Sequence, residues 1–117
     1  MAAGFARPRP AEAARHYALA AESCRERVLS LVAVARAQAA DGRAGSAVLT
    51  LARARQEMTD GNLVRALESQ VMSDTAVILA GIGDFEGARR ANERVASAAL
   101  RSHLRRYIAA AERFWPR

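Results

Sequence analysis

Small and apolar side chains recur at intervals of three and four residues along most of this chain, the spacing that places them on one face of an α-helix. Between Ala11 and Ala40, which encloses neither Pro nor Gly, that face holds Ala14, Tyr17, Ala18, Ala21, Cys24, Val28, Leu31, Val32, Ala35 and Ala39. The pattern predicts a first helix over residues 11–40. Residues 1–10 hold two prolines, which disfavour helix, and are predicted to form an extended tail.

Three groups of turn-forming residues divide the rest of the chain. Asp41-Gly42 ends the first helix, Thr59-Asp60-Gly61-Asn62 ends the second, and Gly81-Ile82-Gly83 precedes Asp84, a residue type that caps helix N-termini. Further helices are therefore predicted over residues 43–58, 63–80 and 84–115, the last without a breaker before Pro116.

These segments predict an all-α fold in one domain, residues 11–117. The four antiparallel helices would form either two stacked helix-turn-helix hairpins or a four-helix bundle, with long first and last helices. In an up-down arrangement, the start of the first helix and the end of the last lie at the same end of the molecule. There they could pack on each other or jointly hold a partner or a second copy.

The two predicted hairpins resemble each other at a shift of 41 residues, which aligns Gly42 with Gly83 and Ala54 with Val95. The shift also pairs four alanines, Ala35 with Ala76 and Ala47 with Ala88. Small side chains let two helices approach closely, and Gly tolerates a left-handed backbone at the turn. Any alanine-rich antiparallel hairpin shares part of this spacing.

A small residue in the first helix, a Gly-Asp-aromatic turn and a small residue one turn into the second helix resemble a tetratricopeptide repeat. Ala76, Gly83-Asp84-Phe85 and Ala88 fill these places, and the resemblance covers about residues 28–98. The period of 41 exceeds the roughly 34 residues typical of that family. The resemblance implies stacked helical hairpins that bind another protein.

Composition agrees with helix and adds an uneven charge. The chain holds 29 Ala, and all 18 of its basic residues are Arg, with a net charge of +6. Alanine and arginine are strong helix formers, which excludes an all-β fold. Residues 1–40 and 85–117 carry the positive excess, and residues 41–84 are mildly acidic. These basic arms indicate either attraction to an acidic partner, nucleic acid or membrane surface, or simply solvated helix faces.

No motif indicates catalysis. Gly81-x-Gly83-x-x-x-Gly87 follows an apolar run, as in dinucleotide-binding turns, but no second strand is available to build the parallel sheet that such turns need. Cys24 has the position of a small core hydrophobe. His16 and His103 lack the spacing of a helical metal site. We therefore predict a protein that is not an enzyme, with no cofactor and no metal.

Residues 101–117, which we call the C-terminal arm, are the predicted partner-binding surface. They combine arginine with aromatic residues, the composition of interaction hot spots. The residues assigned to it are Arg101, Arg105, Arg106, Tyr107, Phe114 and Trp115, together with Arg15 and Tyr17 of the first helix. Alternatively, Leu104, Ile108, Ala111 and Trp115 only cover the first half of the first helix.

The sequence thus predicts a non-enzymatic protein-interaction module: a small adaptor, chaperone or assembly subunit that binds a protein or peptide partner of acidic character and forms a homodimer. The alternative is a basic helical protein that binds nucleic acid nonspecifically. No apolar run is long enough to span a membrane, and a cytoplasmic location is expected.

Overall fold

The computed structural model describes residues 20–60 and 65–116. These ranges form five α-helices and no strand: α1 (Ala20–Ala40), α2 (Ala44–Asp60), α3 (Arg65–Gly81), α4 (Phe85–Asn92) and α5 (Ala98–Arg113). The all-α class is confirmed for this part of the chain, and α1 runs without interruption through Cys24. The predicted tail over 1–10 and the predicted helix start over 11–19 lie outside the described ranges.

The predicted fourth helix over 84–115 is wrong, because residues 93–97 divide it into α4 and α5. Ser97 adopts an extended backbone (φ −76°, ψ 122°) and its hydroxyl accepts a hydrogen bond from the amide of Leu100 at 3.1 Å. The first amides of a helix lack a partner within the helix, and the hydroxyl of Ser97 supplies one of the acceptors they need. A new helix therefore begins here although the break contains neither Pro nor Gly.

Polar side chains from α3 and α5 make hydrogen bonds to the backbone of this break. The guanidinium of Arg101 donates from Nη1 to the carbonyl oxygens of Val95 and Ala96, at 2.6 and 3.0 Å. The hydroxyl of Ser69 in α3 accepts from the amide of Ala96 at 2.9 Å. Backbone groups released by ending α4 therefore find new partners, which offsets the cost of interrupting the helix.

The turns after α1 and α3 have the same backbone geometry. Gly42 and Gly83 have φ of 79° and 88°, the left-handed region that favours glycine. The amide of Arg43 donates to the carbonyl of Gln38, and that of Asp84 donates to the carbonyl of Leu79, each at 2.9 Å. Both turns are Schellman motifs, and the 41-residue shift predicted from the sequence superposes them residue for residue.

The helices pack as two hairpins followed by one further helix. α1 packs on α2, and α3 packs on α4; α3 also contacts α1 and α5. α5 rests on α3 and α4 and, within the described ranges, does not touch α1. Most of the first half of the predicted first helix lies outside the described ranges, so its contact with the last helix stays a prediction.

A continuous hydrophobic core joins all five helices. The four alanines that the repeat aligns are fully buried, each at 0% exposure. The larger core side chains include Val28, Leu51, Leu67, Val71, Met72, Ile78, Leu79, Leu104 and Ile108. The Cα extents of 56 × 32 × 15 Å describe a slab, and its thickness fits two layers of helices spaced about 10 Å apart.

Candidate protein-binding surface

The last helix buries one face and leaves an apolar flank exposed. Leu104 and Ile108 point into the core. Leu100 and Tyr107 are seven residues apart on α5, so they line up two helical turns from each other, and Phe114, the C-cap residue of α5, follows seven residues after Tyr107. They are 36%, 40% and 75% exposed. We call these three residues the α5 ridge.

Three arginines of the C-terminal arm are exposed on α5. Arg113 lies over the ring of Phe114, with its guanidinium carbon 5.4 Å from the ring centroid, a cation–π contact. Arg105 and Arg106 are exposed on the other faces of α5, and neither has an ion-pair partner in the described part of the chain. α5 carries four arginines and one glutamate, so its open surface is positively charged.

Ion pairs fix the position of α5 and the break before it. Arg89 of α4 donates to Glu112 of α5 at 3.0 Å, and this hydrogen bond raises the pKa of Arg89. Arg94, just after α4, pairs with Glu68 of α3. Because both pairs are solvent-exposed, they contribute orientation more than stability.

Trp115 packs inward at the C-terminal end of the arm. Its indole contacts the ring of Phe85 edge to face, with centroids 5.5 Å apart and planes at 85°. It also lies against Gly83 in the α3–α4 turn. Trp115 therefore anchors the segment after α5, and 39% of its surface stays exposed next to Phe114.

The structure divides the predicted partner-binding residues into three groups. Tyr107 and Phe114 lie together on the ridge, and Arg105 and Arg106 are exposed on the same helix. Arg101 and Trp115 instead make contacts within the fold. Arg15 and Tyr17 lie outside the described residues.

Leu100 completes the ridge, although it is not among the residues predicted from the sequence to bind a partner. The signal was present as the seven-residue spacing from Leu100 to Tyr107 to Phe114. It was hidden because Leu104 and Ile108 fit the same apolar helix pattern and are the residues that face the core.

The described residues contain no candidate metal site, and their cysteine is bonded within the fold. Residues 20–60 and 65–116 contain no cluster of three His, Cys, Asp or Glu side chains that could hold a metal ion. Cys24 is buried, and its thiol donates to the carbonyl of Glu57 at 3.6 Å. None of the helices in these ranges is long and apolar enough to cross a membrane. What the surface of α5 offers is apolar contact and positive charge.

No family model matches this chain, and no curated protein or solved structure was found to match it.

Proposed function

We propose that this chain is a non-enzymatic protein-interaction module of the stacked-hairpin, tetratricopeptide-like kind. Its partner is an acidic, amphipathic segment of another protein, which lies along α5. The observation that carries the proposal is the α5 ridge: three large apolar side chains in one line, on a helix that is otherwise rich in arginine.

The position of α5 in the stack supports this proposal. Among the described helices, α3 contacts the other four, whereas α5 contacts α3 and α4 only. In stacked-hairpin proteins each helical unit covers the apolar face of the one before it, so an apolar face that no described helix covers is open to a partner. The α5 ridge leaves that face apolar.

The charge of the surface supports an acidic partner. Arg105, Arg106 and Arg113 are exposed, whereas Glu112, the acidic residue of α5, is already paired with Arg89. An incoming helix with apolar side chains at matching intervals would bury Tyr107 and Phe114, and its carboxylates would meet Arg113, which lies over the ring of Phe114. The aromatic residues would supply affinity, and the arginines would supply orientation and association rate.

The equivalent turns and buried alanines support the tetratricopeptide-like part of the proposal. Both hairpins use a left-handed glycine at the same place and a fully buried alanine on each side of it. Such repetition is typical of chains built from one supersecondary unit used more than once.

The experiment compares the proteins that the wild-type chain retains in affinity capture from a native lysate with those that two matched variants retain. Phe114→Ser alters the ridge, and Leu49→Ser alters an equally exposed leucine on α2; the wild-type side chains are 75% and 74% exposed. We expect a protein partner to be retained by wild type and by Leu49→Ser and lost by Phe114→Ser. The purified partner should then bind through an acidic segment, with an affinity that falls as salt rises.

Three outcomes would contradict the proposal. Equal loss in both variants would mean that general surface hydrophobicity drives capture. Light scattering that shows a dimer in wild type and a monomer in Phe114→Ser would assign the ridge to a second copy of this chain. A steeply salt-dependent gel shift with random-sequence DNA that Phe114→Ser leaves unchanged, together with no protein partner, would favour the nucleic-acid function.

A further inference from the structure

A cavity of about 250 Å³ lies between the two hairpins, on α2, α3 and α4 and away from the α5 ridge. Its apolar lining comes from Val48, which is exposed, and from four buried core residues, Leu51, Met72, Leu79 and Ala91. The contacts between α2 and α3 are sparse and α2 does not touch α4, so the gap between the hairpins remains open. A volume this size suits a small molecule with a short apolar body.

One residue of this cavity carries a buried polar group without a partner. Thr75 lines the cavity and is 4% exposed, and its hydroxyl makes no hydrogen bond. The other helical threonines differ, because the hydroxyls of Thr50 and Thr59 reach the carbonyl oxygens four residues earlier, at 2.9 and 3.0 Å. A buried, unpaired hydroxyl costs free energy unless something in the cavity bonds to it.

Two arginines stand at the mouth of the same cavity. Arg55 of α2 and Arg90 of α4 are exposed, line the cavity, and have no ion-pair partner within residues 20–60 and 65–116. Asp84 also lines the cavity, where its carboxylate caps α4 by accepting a hydrogen bond from the amide of Gly87 at 2.9 Å. The mouth therefore carries more positive than negative charge.

We propose that this cavity binds a small organic anion, a carboxylate on a short apolar body. The apolar body occupies the space above Met72 and Leu79, and the carboxylate meets the guanidinium groups of Arg55 and Arg90. Thr75 contributes its hydroxyl as a donor. The apolar body of the ligand thus fills the apolar void, and its carboxylate bonds to the unpaired hydroxyl and the two unpaired cations.

The test titrates benzoate into the purified protein at constant ionic strength, followed by backbone amide shifts in ¹H–¹⁵N spectra. Benzamide, which is neutral and of the same shape, and inorganic phosphate, which has no apolar body, are titrated in parallel. We expect saturable shifts in α3 and α4 with benzoate, and binding about tenfold weaker for benzamide, as the loss of one charged hydrogen bond predicts. Phosphate alone should bind weakly.

Matched variants assign the site. Arg90→Gln should weaken benzoate about tenfold, whereas Arg106→Gln, on α5, should leave the affinity unchanged. Thr75→Val should weaken benzoate, and Thr75→Ser, which keeps the hydroxyl, should retain it. Because Arg90 is exposed, its variant will fold even if substitution at Thr75 perturbs the core. Phe114→Ser should not alter benzoate binding, so this proposal and the protein-interaction proposal can fail separately.

Benzamide that binds as tightly as benzoate would overturn the proposal, because the charge would then play no part. Equal weakening by Arg106→Gln and Arg90→Gln would mean that benzoate responds only to the overall charge. Shifts that never saturate would mean that the cavity holds water rather than a ligand.

Discussion

The indole of Trp115 lies so close over Gly83 that a Cβ at Gly83 would be 2.7 Å from Cζ2 of the indole. Two features favour glycine at position 83: the backbone has a positive φ of 88°, and the indole of Trp115 leaves no room for a side chain. The contact ties the segment after α5 to the turn between α3 and α4. It also orients the end of the arm that carries Phe114.

Substitution of Gly83 by Ala should therefore destabilise the protein more than substitution of Gly42. Both residues have a positive φ, but nothing lies within 4 Å of a Cβ at Gly42. Gly42→Ala should cost about 1 kcal/mol for the left-handed backbone alone, and Gly83→Ala should cost about 1–3 kcal/mol more for overpacking. Urea unfolding measures both free energies, and the fluorescence of the single tryptophan reports the displacement of Trp115.

The control for this prediction removes the indole. In a Trp115→Ala background, Gly83→Ala should cost the same as Gly42→Ala, because only the backbone contribution remains. Equal costs of the two glycine substitutions in the wild-type background would show that Trp115 does not press on the turn.

Arg101 should contribute to stability rather than to partner binding. Its guanidinium bonds two carbonyl oxygens of the break, at 2.6 and 3.0 Å, and Arg105, one turn later, makes no such contact. Arg101→Gln should lower the free energy of unfolding by about 1–2 kcal/mol, and Arg105→Gln should change it by less than about 0.5 kcal/mol. Chemical denaturation compares them, with amide hydrogen exchange at residues 93–97 as the local readout. Slower exchange there in Arg101→Gln would contradict this role.

The hairpins could be predicted from the sequence because their determinants are local. Gly42 and Gly83 each end a helix through their own backbone preference, and the alanines at fixed offsets allow close approach within each hairpin. The break before α5 could not be predicted in this way. Residues 93–97 contain neither Pro nor Gly, and the partners that hold the break come from Ser69 in α3 and Arg101 in α5, which are brought together only by tertiary packing.

The candidate surface was predictable in composition but not in orientation. Arginine and aromatic residues concentrated in the last 17 residues marked the arm. Which of them face solvent depends on how α5 is rotated about its own axis where it packs on α3 and α4. In the observed orientation Leu104 is buried and Tyr107 is exposed. Trp115 packs inward because Gly83 leaves space for it, a relation that joins two residues in separate elements.

Arg36 should hold down the pKa of Asp74. Burial raises the pKa of Asp74 above its ordinary value of 3.8, and Arg36, with Nη2 3.6 Å from Oδ1 of Asp74, partly offsets this shift. Arg36→Gln should therefore raise the pKa of Asp74 further, as measured by the carboxyl ¹³C shift across a pH titration. Arg25→Gln, at another exposed arginine of α1, is the control that should leave it unchanged. A lower pKa in Arg36→Gln would contradict the assignment.

The raised pKa also fixes the sign of the stability change with pH. Between the unfolded value and the higher folded value the folded state binds more protons, so the contribution of Asp74 to stability falls as pH rises through this window. Asp74→Asn removes that dependence. At pH 7 the variant should be as stable as wild type or slightly more so, by less than about 1 kcal/mol, because the pair is partly exposed. A difference between wild type and variant with the opposite slope would contradict burial as the cause.

Thr75 and Thr50 offer a matched test of buried hydroxyl groups in the protein without ligand. The hydroxyl of Thr50 lies 2.7 Å from Oε1 of Gln38 and 2.9 Å from the carbonyl oxygen of Ser46, whereas that of Thr75 has no partner. Thr50→Val should lower the free energy of unfolding by about 1 kcal/mol, and Thr75→Val should raise it by about 1 kcal/mol, because an unpaired buried hydroxyl is replaced by a methyl group. Thermal and urea unfolding measure both. A loss of stability in Thr75→Val equal to that in Thr50→Val would mean that an ordered water already satisfies the hydroxyl of Thr75, and that an anion entering the cavity must displace it.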